Sequence, residues 1–115
     1  MKTSELTGAA LDWAVAKCEG LECTEDMGLL VVEGADGYYS PSIKWAQGGA
    51  IIEREKISIE HLYGAGDAGA DVWVATRVEG SSISEEQGST ALIAAMRCYV
   101  ASKLGDEVEL PKELA

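Results

Sequence analysis

The sequence contains few of the residues from which catalytic and metal sites are usually built. Its 115 residues include one histidine, His61, and three cysteines, Cys18, Cys23 and Cys98. The cysteines are odd in number and form no C-x-x-C pair, so reduced thiols are expected rather than a zinc site or a disulfide framework. One histidine with scattered carboxylates offers no convergent set of ligands, so we expect no metal and no cofactor.

Long apolar runs are also missing. No stretch approaches the roughly 18 consecutive apolar residues of a membrane span, and the N-terminal segment MKTSELTG lacks the apolar region of a signal peptide. We therefore expect a cytosolic protein that does not associate with membranes. The length and the 47% hydrophobic content predict a single domain over residues 1–115 with a true core.

Basic side chains are scarce. The chain has 9 Lys and Arg residues against 20 Asp and Glu residues, which gives a net charge of −11. This field repels phosphate backbones, so direct nucleic-acid binding is not expected. The acidic residues are spread along the chain, as on a soluble acidic surface. The alternative is a DNA mimic that fills the basic groove of a partner, although mimics usually space carboxylates along one element.

No catalytic motif is present in the sequence. His61 falls on the apolar face of a predicted strand, where a lone histidine belongs to the core or its rim. No serine lies in a G-x-S-x-G elbow, and Glu53 and Glu55 fall on different faces of a predicted helix. The motif G-x-G-x-x-G at residues 64–69 is followed by strand-like ADVWVATRV, so a hairpin loop is favoured over a dinucleotide site. The protein is predicted not to be an enzyme.

Hydrophobic periodicity predicts an α+β fold in which a small antiparallel sheet packs against two main helices. The first helix is capped by Thr7 and ends at Gly20, and its core stripe excludes Trp13, which must pack under another segment or face a ligand. The segment GLLVVEG pairs with YYS through an ADG turn, and a short helix starts with Gly49 as its N-cap. Two strands, a polar loop EGSSISEEQG and a long helix from Ser89 to Gly105 follow, and the charged tail 106–115 is expected to be partly ordered.

Special residue types are concentrated in YYSPSIKWAQGG, residues 38–49. Aromatic rings there could stack on a planar group, while glycine amides at a helix start and nearby polar groups could bind an anion. The candidate ligand-binding residues are Trp13, Tyr39, Ser40, Ser42, Trp45, Gln47, Gly48, Gly49 and Arg54. The competing interpretation is structural: Ser42 caps a turn, Trp45 is core, and the glycines bend the chain.

Three segments carry a resemblance to a known family: KTSELTGAALDWAVAKCEG, YSPSIKWAQGGAIIEREKI and ALIAAMRCYVASKLGDEVELP. Together they resemble the NinX-like proteins of tailed phages and prophages, a domain of unknown function; residues 61–88 match most loosely. The family often has proline after the glycine pair, where this chain has Ala50. The resemblance implies a phage accessory protein in the cytoplasm of the bacterial host, encoded among early, replication and recombination genes, and it supplies no catalytic residues.

These observations leave three hypotheses open. The first is a binder of a small nucleotide-like ligand that sequesters a host antiphage-defence signal. The second is an acidic protein-interaction module that inhibits a host protein, and the third is an accessory in phage recombination or replication that acts through partner proteins. Small residues of the long helix, Ala94, Ala95 and Ala101, together with exposed aromatics, would suit a homodimer.

Overall fold

The computed structural model describes residues 1–32 and 37–114 and shows an α+β fold. The α+β class is confirmed, but the prediction of one sheet on two helices is wrong, because the described residues form three helices and two antiparallel sheets. None of these helices has the length and apolarity needed to cross a membrane. In chain order the elements are α1 (Gly8–Cys18), β1 (Cys23–Asp26), β2 (Leu29–Val32), α2 (Trp45–Glu55), β3 (Ser58–Leu62), β4 (Val72–Glu79), β5 (Ser82–Gly88) and α3 (Ala91–Leu104).

The first sheet is the hairpin β1–β2, which turns at Met27 and Gly28. Both turn residues have left-handed backbone, with φ of 54° and 81°, as a tight two-residue hairpin turn requires. The predicted hairpin of β2 with YYS is wrong, because the strand partner of β2 is the acidic segment before it, from Cys23↔Val32 to Asp26↔Leu29. YYS contributes one backbone hydrogen bond to β2, from the Tyr39 N–H to the Leu30 carbonyl at 2.8 Å. Residues 38–40 form no strand, and the predicted ADG turn falls largely outside the described residues.

The second sheet has the order β3–β4–β5. The two predicted strands around the glycine-rich loop are confirmed, and they run antiparallel, with Ile59 opposite Ala75. Because β3 and β4 pair antiparallel, residues 64–69 lie in the loop of a hairpin, as predicted, and do not form a dinucleotide-binding motif. The polar loop predicted after β4 is wrong: SISEEQG is strand β5, paired with β4 from Trp73↔Gly88 to Glu79↔Ser82. The side chains of β5 alternate between solvent and α3. Because most of them are polar, the sequence shows no alternation of apolar and polar residues from which a strand could be predicted.

Helix α3 lies at the centre of the fold, against the β3–β4–β5 sheet on one side and α1 and α2 on the other. Ala94, Ala95 and Met96 are fully buried, and a Cβ at Gly88 would lie 2.5 Å from the Ala94 nitrogen. The predicted cap Ser89 is wrong by one residue, because Thr90 Oγ1 accepts the Ile93 N–H at 3.1 Å. The predicted end at Gly105 is confirmed.

The segment after α3 returns to the N-terminus. The Thr3 N–H donates to the Asp106 carbonyl at 2.8 Å and the Val108 N–H to the Met1 carbonyl at 2.9 Å. Val108 is buried, and a single 3-10 turn, Lys112–Leu114, follows. These contacts join residues 1–3 to residues 105–108.

Candidate functional site

The polar side chains of the 38–47 segment hydrogen-bond within the segment itself. Gln47 Oε1 accepts the Ser40 N–H at 2.6 Å, and Gln47 Nε2 donates to the Tyr38 carbonyl at 3.3 Å. Lys44 Nζ donates to the same carbonyl at 2.9 Å. The amide of Gln47, predicted as a ligand contact, therefore fixes the turn that leads into α2.

A buried carboxylate on α1 supports this turn. Asp12 Oδ1 accepts the Ser42 N–H at 2.9 Å, and Asp12 and Ser42 are 3% and 4% exposed. Burial raises the pKa of Asp12 from its ordinary value, and hydrogen bonds from Ser42 offset part of that rise. Tyr39 and Ser40 are buried beside them, and burial likewise raises the pKa of Tyr39. These residues anchor the turn to α1.

The glycine pair lies inside α2, so the predicted helix start at Gly49 is wrong. The helix begins at Trp45, and the Gly48 N–H donates to the Lys44 carbonyl at 2.9 Å. A Cβ at Gly48 would lie 2.3 Å from the Pro41 carbonyl oxygen and 2.7 Å from Leu92 Cδ2. Gly48 is therefore needed for close packing of α2 on the turn and on α3. Because this amide is used by the helix, it is not available to an anion.

Arg54 lies near the other end of α2 and is held by carboxylates. Its guanidinium donates to Glu19 Oε1 and to Glu55 Oε2, both at 2.8 Å, and reaches the Tyr99 hydroxyl at 3.3 Å. The hydrogen bond from Arg54 lowers the pKa of Glu19, with a smaller contribution from Tyr99. The charge of Arg54 is thus balanced by Glu19 and Glu55, at a distance along the helix from Trp45.

Two large apolar side chains next to the turn point into solvent. Ile43 is 71% exposed and Trp45 is 59% exposed. They border a depression of about 250 Å³ that is also lined by Ser42 and residues 90–93. The Trp45 ring lies along α2 so that its Cε3 atom would be 3.4 Å from a Cβ at Gly49. We call Ser42, Ile43, Trp45 and residues 90–93 the Ile43–Trp45 surface.

No residue that lines this depression carries a charge. The first N–H groups of a helix have no acceptor within it, and in α3 these belong to Ala91 and Leu92, since Thr90 Oγ1 takes the Ile93 N–H. The Ile43–Trp45 surface therefore combines an apolar rim with the N-terminal turn of α3.

The structure brings only two of the predicted site residues, Ser42 and Trp45, to this depression. Tyr39, Ser40, Gln47 and Gly48 stabilise the turn and its packing, and Gly49 lies under the Trp45 ring. Trp13 lines a separate cavity beside β1–β2 and the C-terminal turn. Sequence reasoning missed Ile43 and residues 90–93. An isoleucine between polar residues in a proline turn was the available signal for Ile43, while residues 90–93 depend on the packing of α3 against α2.

Within residues 1–32 and 37–114, no group of three or more His, Cys, Asp or Glu side chains is placed to hold a metal ion. His61 lies on the rim of the sheet, where it contacts Trp73 and has Asp71 at 3.4 Å. All three cysteines are free thiols, and burial raises the pKa of Cys18 and Cys98 to about 11. Thiols with so high a pKa are poor nucleophiles at neutral pH.

Comparison with known proteins identifies a phage family. The family model described as bacteriophage P22, NinX matches residues 2–103, so the resemblance noted from the sequence is confirmed. A 2.0 Å crystal structure of a phage protein from Bacillus cereus superposes with a TM-score of 0.59 over 95% of this chain and 97% of that chain, at 14% identity. At that identity the likeness concerns the fold alone. A search of curated proteins gives no match.

Proposed function

This chain belongs to the bacteriophage P22 NinX family of phage proteins, and we propose from that premise that it is a non-enzymatic accessory protein. It acts by binding another protein through the Ile43–Trp45 surface. The observation that carries this proposal is the exposure of Ile43 and Trp45, at 71% and 59%, beside an uncharged depression.

Exposed apolar side chains next to a concave surface favour burial by a partner. Burying an aliphatic or aromatic side chain of this kind stabilises a complex by about 1.5–3 kcal/mol. Tryptophan is enriched among the few residues that dominate binding energies at protein interfaces. Here a rigid turn, held by Asp12 and Gln47, presents both side chains. A pre-organised anchor loses little conformational entropy on binding.

The charge of the chain supports a basic partner. With a net charge of −11, the protein attracts surfaces of opposite sign and repels a second acidic surface. The apolar contacts at the Ile43–Trp45 surface would supply affinity, and the net negative charge of the whole chain would give a fast, salt-sensitive association. A basic host protein is therefore the proposed partner class, which agrees with an inhibitory or accessory role in the bacterial cell.

The proposal is tested by capture from a bacterial lysate on the immobilised protein, at low and at high salt. The variant Trp45→Ala removes the anchor, and Tyr63→Ala is the control, because Tyr63 is an aromatic that is 84% exposed elsewhere. We expect the unaltered protein and Tyr63→Ala to capture the same basic protein at low salt and Trp45→Ala to lose it. Equal capture by all three forms would contradict the proposal.

A second candidate function is binding of a small planar anion, such as a nucleotide-derived defence signal, at the same depression. It is supported by the Trp45 ring, on which a base could stack, and by the N-terminus of α3, which favours negative charge. Gly48 and Arg54 do not support it, because the Gly48 N–H donates to the Lys44 carbonyl and Arg54 donates to Glu19. A thermal-shift series with cyclic nucleotides and ADP-ribose derivatives tests it: stabilisation that Trp45→Ala abolishes favours the ligand over the protein partner, and no stabilisation contradicts it.

A further inference from the structure

A second cavity lies on another part of the molecule, between α1, the hairpin β1–β2 and the C-terminal turn. Its volume is about 340 Å³, and it shares no lining residue with the Ile43–Trp45 surface. The family match ends at residue 103, so the wall formed by residues 111–114 lies outside the matched region. Its apolar walls come from Trp13, Leu30, Pro111 and Leu114, and its acidic groups come from Glu25 and Glu113.

The Trp13 ring has one cation of the same chain beside it. Lys17 Nζ stands 5.2 Å from the centroid of the ring, which is within the range of a cation–π interaction. Lys17 lines a neighbouring depression that Trp13 also borders, and it does not line the cavity itself. One cation–π contact is thus made within the chain, while the cavity offers the same indole to a group from outside.

The two carboxylates at the cavity are available for a cation. Glu25 Oε1 accepts the Gly28 N–H in the hairpin turn, which leaves its second oxygen without a protein donor among the hydrogen bonds of the described residues. Neither Glu25 nor Glu113 joins an ion pair in the described ranges. An aromatic wall, two carboxylates and apolar sides match an ammonium group on an aliphatic chain. Its charge would meet the carboxylates, and its methylenes would pack on Pro111 and Leu114.

We propose that the Trp13 cavity binds an alkylammonium group, supplied either by a free polyamine or by a lysine side chain of a partner protein. In both cases the ammonium lies against the Trp13 ring beside Glu25 and Glu113, and the alkyl chain packs on Pro111 and Leu114. Because this cavity and the Ile43–Trp45 surface have no residue in common, loss of one binding activity leaves the other intact.

The test is an NMR titration of the full chain with spermidine and with lysine blocked at its α-amino and carboxyl groups. The readout is the indole Nε1–H signal of Trp13, assigned with Trp13→Phe. Lysine acetylated at Nζ is the uncharged probe. We expect the Trp13 signal to shift with both amines, and not with the acetylated probe, while the indole signals of Trp45 and Trp73 stay in place.

Paired variants separate the site from the general acidity of the chain. Glu25→Gln with Glu113→Gln removes two charges at the cavity and keeps the side-chain shapes, including an acceptor for the Gly28 N–H. Glu53→Gln with Glu60→Gln removes two exposed charges elsewhere. We expect the first pair to weaken amine binding at least tenfold and the second pair to change it less than twofold. Equal weakening by both pairs, or no Trp13 shift with either amine, would overturn the proposal.

The two amines also distinguish the source of the group. Spermidine carries more charge than the blocked lysine, and the acidic chain attracts it more strongly at low salt. A preference for spermidine of at least tenfold that persists at high salt therefore identifies a polyamine ligand. A smaller preference at high salt, or the reverse order, identifies a lysine side chain, since a protein partner then adds contacts that the isolated amino acid lacks.

Discussion

The Asp12 carboxylate on α1 accepts the backbone N–H of Ser42 at 2.9 Å, and both residues are almost entirely buried. This bond connects residues 30 positions apart and fixes the turn from which Ile43 and Trp45 project. A charged acceptor is well suited to a buried N–H, because an unsatisfied donor at this position would cost about 1–3 kcal/mol. The exposed anchor thus depends on a buried acid.

The first prediction compares two replacements of Asp12. Asp12→Ala leaves the Ser42 N–H without an acceptor and should lower the free energy of unfolding by about 1–3 kcal/mol. Asp12→Asn keeps an acceptor oxygen and removes a buried charge, so it should be neutral or stabilising at neutral pH. Chemical denaturation of both variants measures the difference. Equal losses in the two variants would show that the Ser42 bond is not what Asp12 supplies.

Asp12 also makes the free energy of unfolding depend on pH, in a direction that its pKa determines. Burial raises the pKa of folded Asp12 above its ordinary value of 3.8, so the unfolded state releases this proton first as pH rises. The stabilisation that comes from this pKa difference is therefore present below pH 3.8 and is lost as pH rises through the folded pKa. The stability of Asp12→Asn relative to the unaltered protein should increase over that interval. A relative stability that is constant across it would contradict the burial of an ionisable group.

The second prediction concerns the neighbouring glycines of α2. Gly48→Ala should destabilise the protein by about 1–3 kcal/mol through overpacking, because its Cβ would lie 2.3 Å from the Pro41 carbonyl oxygen. Gly49→Ala meets Trp45 Cε3 only at 3.4 Å and should gain up to about 1 kcal/mol from helix propensity. Urea unfolding of the two variants gives the comparison. Similar effects for both would mean that the contact between α2 and the turn is loose.

The third prediction locates the start of α3. Thr90→Ala removes the acceptor of the Ile93 N–H and should cost about 1 kcal/mol, whereas Ser89→Ala should have little effect, since Ser89 is exposed and Thr90 is the N-cap. Thermal unfolding of Thr90→Ala and Ser89→Ala measures the two losses of stability. A larger loss in Ser89→Ala would move the cap to the residue that the sequence alone favoured.

Elements with strong local signals were predictable from the sequence. The long helix is a run of apolar residues, among them Met96 and Val100, that ends at a glycine, and both features are local. Strand β5 was missed because its polar side chains alternate with residues that face α3, so its strand character depends on pairing with β4. The strand β1 was missed for a similar reason: an acidic segment becomes a strand only through its partner β2 and the left-handed turn at Met27.

The candidate site was predictable only in part. The special residues between Tyr38 and Gly49 form a tight turn held by hydrogen bonds, followed by the start of α2. The sequence could not show that Gln47 bonds back to Ser40 or that Gly48 lies against Pro41, because both contacts arise from the tight turn. The exposure of Trp45 also depends on where α2 begins. A start at Trp45 rather than at Gly49 places the glycines inside the helix and the indole on its surface.

The proposed binding through the Ile43–Trp45 surface is tested most directly by the affinity of a purified partner for Trp45→Ala and for the control Tyr63→Ala. A central interface tryptophan typically contributes at least about 2 kcal/mol of binding free energy. Trp45→Ala should therefore raise the dissociation constant about 30-fold or more. Tyr63→Ala should change it less than about twofold, since exposed residues outside an interface carry little binding energy. Titration calorimetry at low salt provides both values. A Trp45→Ala affinity equal to that of the unaltered protein would contradict binding through the Ile43–Trp45 surface.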